Sequence, residues 1–185
     1  MTSNPNKARE AAEILGVELH SVDLDLPELQ ALDVAQVAAN KAATAREALG
    51  FPDSLVLVED SGLVVEAWNG LPGALTKWFL RSVENGGLLR MLSAEEDRSA
   101  RAVCAVATAA ADGSVRVFVG EVEGSIAYQP RGSEGFGWDP IFVPAGHTET
   151  YAELGARKHQ DSHRARALKA VRGGLEGPHP SGEHA

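Results

Sequence analysis

Hydrophobic positions along this chain recur with two periods, about every 3.6 residues in some stretches and every second residue in others, so helices and strands are both expected. Residues 5–15 carry helix boundary signals, with Asn4 as N-cap, Pro5 at the favoured first position and Gly16 just past the end. Residues 17–22 read as a strand, and residues 33–49 as an alanine-rich helix with apolar positions at helical spacing. Residues 54–58 and 63–67 predict a short strand pair around the turn Asp60-Ser61-Gly62. Residues 74–92 predict two helices broken at Asn85-Gly86-Gly87, with Trp78, Phe79, Leu88, Leu89 and Leu92 directed mostly to the core. Two longer strands, 101–109 and 115–127, are joined by the turn Asp112-Gly113-Ser114. A glycine-rich loop, 132–137, leads into Trp138-Asp139-Pro140-Ile141-Phe142, and a last helix covers 162–171. After Gly173 the Pro, Gly and His residues predict a disordered tail, and no internal repeat is present.

Within this pattern the stretch 54–79 carries the most chemistry. Val56, Leu57 and Val58 predict a buried strand that delivers Glu59 and Asp60 to the edge where an open α/β sheet binds its ligands. Strand side chains alternate, so one of the two acids should face the cleft, and Asp60 is the expected one. Lys77 follows on a helix beside the apolar pair Trp78-Phe79, which would hold its charge in place. Carboxylates and a lysine so arranged suit a metal and a phosphate.

Composition narrows the partners. With 185 residues and 44% hydrophobic content, one folding unit of two small lobes around a cleft is expected, reaching to about residue 175. Seventeen basic residues against 26 acidic, a net charge of −9, argue against a protein that grips a nucleic-acid backbone. A polyanionic ligand should therefore be small and locally caged. The single cysteine, Cys104, lies in an apolar run, which excludes an internal disulfide and a cysteine zinc site and reads as a buried core thiol. No apolar run approaches the roughly 20 residues of a membrane span, and no signal peptide is evident, so a soluble cytoplasmic protein is expected.

Other motifs carry weaker signals alone. Thr2-Ser3-Asn4-Pro5-Asn6-Lys7 has the small and polar residues with which a helix N-terminus receives an anion, although a solvated Lys7 is the plainer alternative. Glu28 follows Asp25-Leu26-Pro27, where proline would aim the carboxylate inward, although a surface acid is the plainer alternative, and Lys41 is by itself an ordinary lysine. The loop Gly132-Ser133-Glu134-Gly135-Phe136-Gly137 lacks a Gly-Lys-Ser/Thr ending and opens no helix, so it is neither a Walker A nor a Rossmann fingerprint. Phe136 and Trp138 flank Gly137, which permits close approach of a planar base, and Asp139 would meet a sugar hydroxyl, a base edge or metal-bound water. Lys158, Ser162, His163 and Arg164 lie before or at the start of the last helix, capped by Asp161 or Ser162, as donors for an anion or a carbonyl oxygen. A solvated basic face of Arg164, Arg166 and Lys169 is the alternative.

Taken together these motifs resemble the inosine triphosphate pyrophosphatases, the Ham1-like non-standard purine NTP pyrophosphatases. Thr2-Ser3-Asn4 through Lys7, Glu59-Asp60-Ser61-Gly62-Leu63, Asn69-Gly70-Leu71-Pro72-Gly73, Lys77-Trp78-Phe79, Phe136-Gly137-Trp138-Asp139-Pro140 and Ser162-His163-Arg164 occur in that family's order. The resemblance implies an α/β fold, a mixed twisted sheet with flanking helices and two lobes around a central nucleotide-binding cleft, usually in a homodimer. It implies Mg²⁺-dependent hydrolysis of ITP, dITP and XTP to the monophosphate and pyrophosphate. Thr2, Ser3, Asn4, Pro5, Asn6, Lys7, Lys41, Ser61 and Lys77 would hold the phosphates. Glu28 and Asp60 would sit at the metal, and Phe136, Gly137, Trp138, Asp139, Lys158, His163 and Arg164 would line the nucleoside pocket. Asp60, Lys7 and Lys77 would act in catalysis.

Two departures from the family pattern are visible. The family begins with an apolar strand before the Thr-x-Asn loop, whereas this chain starts at Met1, which we read as a misplaced start; residues 155–161 are also slightly shorter. Rival readings are a nucleotide-binding protein that has lost turnover and a pyrophosphatase for another modified base.

Overall fold

The computed structural model describes residues 5–176, without the side chains of Pro5, Asn6, Lys7, Arg9, Glu10 and Glu176. Its centre is the strand β3, Ser99–Ala109, whose residues from Ala102 onward are all buried, as expected of a near-continuous apolar run covered on both faces. β3 is flanked by β1 (Val56–Val65) on one side and β4 (Val115–Ile126) on the other. Two short strands, β2 (Pro72–Gly73) beside β1 and β5 (Phe142–Pro144) beside β4, complete the order β2-β1-β3-β4-β5. All four ladders among the described residues are antiparallel.

Helices cover both faces. α2 (Val34–Ala48) lays Val34, Ala38, Ala42 and Ala45 against Val56, Val58, Val103, Ala105 and Ala107, small side chains on both sides allowing close packing. On the opposite face α1 (Pro5–Leu15) and α5 (His163–Glu176) bury Ala11, Leu15, Leu168 and Val171 against Cys104 and Val106, leaving Cys104 with no exposed surface. Further along that face α3 (Thr76–Met91), α4 (Tyr151–Leu154) and the 3₁₀ turn Asp139–Ile141 enclose Leu63, Val65, Ala102, Val122 and Ile126. α5 approaches β4 most tightly at Gly120, where a side chain would run into the backbone of His163 and Ala167. Arg98 joins the far ends of α3 and β4 by donating to the carbonyls of Leu92, Ile126 and Ala127.

Several elements differ from the sequence-based expectation. Asp60-Ser61-Gly62 is no turn, because β1 runs straight through it with Asp60 opposite Ala105 and Gly62 opposite Val103. The ladder with β3 overrides local turn chemistry, and Gly62 is needed because the Gly73 carbonyl occupies the place of its side chain. Residues 17–22 form no strand: Val17 and Val22 are exposed, and β2 pairs with only Leu63 and Val64 of the neighbouring edge. In α3 the break falls at Glu84 (φ 56°, ψ −177°), one residue before the expected Asn-Gly-Gly. Leu88 and Leu92 are core as expected, whereas Trp78 is half exposed. α5 continues past Gly173 to Glu176, since Gly174 lies under the Phe118 ring and its carbonyl accepts from Arg116 at 3.1 Å.

Candidate active site

A cleft of about 1330 Å³ opens where β1 emerges beyond the short β2. Asp23, Asp25 and Glu28 of the irregular segment 18–31 and Val37 and Lys41 of α2 line one side. Glu59, Asp60 and Ser61 of β1 line the floor, Lys77, Trp78 and Arg81 of α3 the other side, and Phe136, Gly137 and Trp138 close the end.

Backbone contacts fix this arrangement. Gly73 (φ +56°) has the Leu32 carbonyl where a side chain would be, and Ala74 N–H donates to the same carbonyl at 2.9 Å. The buried Thr76 hydroxyl donates to Gly73 O at 2.5 Å and accepts from Leu63 N–H at 2.8 Å. The segment before α2 is thereby stapled to β1, β2 and the start of α3. Glu28 consequently lies between two lysines, with Lys41 Nζ 2.7 Å from Oε1 and Lys77 Nζ 3.6 Å from Oε2. The Lys41 hydrogen bond, joined by the Lys41 and Lys77 charges, outweighs partial burial and holds the Glu28 carboxyl below its ordinary value of 4.5.

At the opposite end Asp139 Oδ2 accepts from Lys158 Nζ at 2.5 Å and from Phe136 N–H at 2.8 Å, so the buried pair braces the glycine-rich loop from behind. The Lys158 ammonium also lies 5.3 Å from the Phe136 ring centre and 5.7 Å from that of Tyr151. His163 stacks on Tyr151 with ring centres 5.9 Å apart. Arg164 Nε donates to Glu59 Oε2 at 2.7 Å, and both side chains are nearly buried. Ser162 caps α5 by accepting from Ala165 N–H at 3.2 Å.

Of the residues expected from sequence, the structure brings Glu28, Lys41, Asp60, Ser61, Lys77, Phe136, Gly137 and Trp138 to one cleft. Asp139, Lys158, His163 and Arg164 stand behind its wall, joined to one another or to wall residues. Thr2, Ser3 and Asn4, and the side chains of Pro5, Asn6 and Lys7, lie outside the described residues. The expectation that only one β1 acid faces the cleft is corrected, because the cavity reaches α2 on one face of the strand and Trp138 on the other, and both Glu59 and Asp60 line it. Both acids also sit in mid-strand rather than at a strand's carboxyl end, since β1 continues to Val65. Trp138 is 8% exposed and belongs to the core, leaving Phe136, 54% exposed, as the ring available for stacking. Arg81 was not anticipated. It shares a helix face with Lys77 at i, i+4 spacing, and both cations lie 5.3 Å from the Trp78 ring.

Five carboxylates, Asp23, Asp25, Glu28, Glu59 and Asp60, thus line the cleft beside three cations, Lys41, Lys77 and Arg81. No group of three or more His, Cys, Asp or Glu converges among the described residues. Mg²⁺ needs less than that, taking one or two carboxylates together with waters and substrate phosphates. Glu28 and Asp60 are hard oxygen donors of that kind, and an acidic cleft would accept a triphosphate only with added positive charge. The donor set therefore fits Mg²⁺. No helix among the described residues is long and apolar enough to cross a membrane.

Comparison with known proteins places these features in context. The sequence model of the Ham1 family matches residues 1–173. A dITP/XTP pyrophosphatase of Ignicoccus hospitalis is 44% identical over 96% of this chain and 95% of its own length. An inosine triphosphate pyrophosphatase of Tuber melanosporum is also 44% identical, over 97% and 96% of the two chains. Among solved structures, the Staphylococcus aureus Ham1 protein superposes with a TM-score of 0.83 at 31% identity, covering 95% of each chain.

Proposed function

Because the chain belongs to the Ham1 family, we propose that it hydrolyses the deaminated purine nucleoside triphosphates ITP, dITP and XTP to the monophosphate and pyrophosphate. The names of its relatives support the substrate class. The observation that carries the reading is that one cleft joins the Lys41–Glu28–Lys77 cluster to the Phe136 loop across Asp60.

The triphosphate lies between α2 and α3, where Lys41 and Lys77 transfer part of their hold from Glu28 to phosphate oxygens. Thr2, Ser3, Asn4, Pro5, Asn6 and Lys7 receive the same group at the N-terminus of α1, where backbone N–H groups and the helix dipole favour an anion. Glu28 and Asp60 would hold Mg²⁺, which when bound neutralises triphosphate oxygens and polarises the phosphorus under attack. Asp60 orients a water in line with the α phosphorus and accepts its proton as the new O–P bond forms and the α–β bridging bond breaks, releasing pyrophosphate. Phe136 stacks on the base, while Lys158, His163 and Arg164, held behind the cleft wall by Asp139, Tyr151 and Glu59, would supply donors for the 6-keto oxygen only where the base reaches past that wall. A 6-amino group there would leave a buried donor unsatisfied, which disfavours ATP. The exposed stripe Val115, Val117 and Val119 on β4 suits a homodimer contact, and the expected location is the cytoplasm.

Pyrophosphate release from ITP, XTP, ATP and GTP with Mg²⁺ tests the reading. Release from ITP and XTP alone is expected, and Asp60→Asn should lower kcat by about 10²–10⁴-fold while nucleotide binding persists. Equal turnover of all four nucleotides would overturn the substrate assignment. Full activity in Asp60→Asn would remove Asp60 from the chemistry, and ITP binding without pyrophosphate release would leave a binding protein.

A further inference from the structure

We propose that Asn85 is a positioning residue, fastening the loop 132–137 to α3 so that the helix bearing Lys77 and Arg81 and the loop bearing Phe136 keep a fixed span. The proposal rests on the pyrophosphatase reading of the same cleft.

Asn85 Nδ2 donates to the carbonyl of Gly137 at 2.9 Å, a contact between residues 52 positions apart. The bond exists because α3 leaves helical geometry one residue earlier. Glu84 adopts φ 56° and ψ −177°, a backbone region that residues other than glycine strongly resist. Such a geometry persists only where its surroundings hold it, and here the following turns are fixed by Leu88 and Leu92 in the core. Gly137 itself has φ +63°, so its carbonyl direction is set by a conformation open mainly to glycine. Behind the loop, Asp139 takes the Phe136 N–H. The loop is thus tied to its own continuation through Asp139 and to α3 through Asn85, beside the packing of Trp138 in one apolar cluster with Phe79 and Leu80. The Asn85 tie is a directional bond that fixes the loop relative to the helix whose cations face the phosphates. A nucleotide must satisfy both ends of that span together, whereas a ligand made of phosphates alone uses one end.

Steady-state kinetics on ITP, with inorganic tripolyphosphate as competitive inhibitor, separate these cases. Asn85→Ala should raise KM for ITP about 3–10-fold, the worth of one hydrogen bond, with kcat within about 2-fold and the tripolyphosphate Ki unchanged. Asn85→Asp, the same shape without the Nδ2 donor, should show the same split. An unchanged KM in both variants overturns the proposal. So does a rise in the tripolyphosphate Ki that matches the rise in KM, since general damage to the cleft would then explain both. Wild-type protein that releases no pyrophosphate from ITP defeats the underlying reading, and that result appears before any variant is compared.

Discussion

Glu28 holds two lysines that a phosphate would otherwise attract, and in the absence of phosphate those lysines hold its charge. Since its folded-state pKa is depressed, chiefly by the Lys41 hydrogen bond, the resulting stabilisation is whole above pH 4.5 and drains away as pH falls through the lower folded-state value. Wild-type protein should therefore lose stability relative to Glu28→Gln as the pH is lowered below 4.5, and the gap between their unfolding midpoints should be constant from pH 6 to 8. Urea melts across that range check it; parallel midpoints down to pH 3 would show that the Lys41 contact contributes nothing to folding. Near neutrality Glu28 stays ionised, so its oxygens remain available to a cation. Lys41 and Lys77 likewise remain placed where incoming phosphate oxygens would meet them.

At the scale of elements, α5 seats on β4 at Gly120 with no room for a side chain. Gly120→Ala would press a methyl group into the backbone at His163 and Ala167, which cannot yield as a flexible side chain would. A loss of about 1–3 kcal/mol in unfolding free energy is expected, with weaker ITP binding because α5 carries His163 and Arg164. An unchanged melt would mean that α5 slides without cost. Elements whose signals are local were legible in the sequence. The helix expected over 33–49 is found at Val34–Ala48, with Asp33 as its cap accepting from Ala35 N–H at 2.8 Å, and Gly16 does follow α1 with φ 68°. Asp112-Gly113-Ser114 does turn between β3 and β4, with Asp112 accepting from Ser114 N–H. Elements decided by neighbours were not legible. Asp60-Ser61-Gly62 has turn chemistry but is drawn into a ladder, while residues 17–22 have a strand pattern and form no ladder. The site divides in the same way. Its residue types could be picked out singly, but the pairing of Glu28 with Lys41 depends on an irregular segment, and that of Glu59 with Arg164 joins positions 105 apart.

On the scale of the whole molecule, three apolar clusters meet on β3, and every helix that shapes the cleft rests on that strand or on its two neighbours. Opening the sheet would therefore dismantle both ends of the cleft at once, and a ligand spanning them should resist the opening. Cys104, the chain's one cysteine, sits in the middle of β3 with no exposed surface. This makes it an internal clock. A thiol reagent can reach it only when α1 and α5 lift from β3 or the sheet parts, so the labelling rate counts those openings without any added probe. Labelling in buffer should be slow and should accelerate with denaturant in step with global unfolding. ITP at about 100 times its Kd should retard labelling about 100-fold where labelling proceeds through the fully unfolded state. Fast labelling indifferent to nucleotide would instead show that α1 or α5 lifts from β3 while the cleft stays assembled.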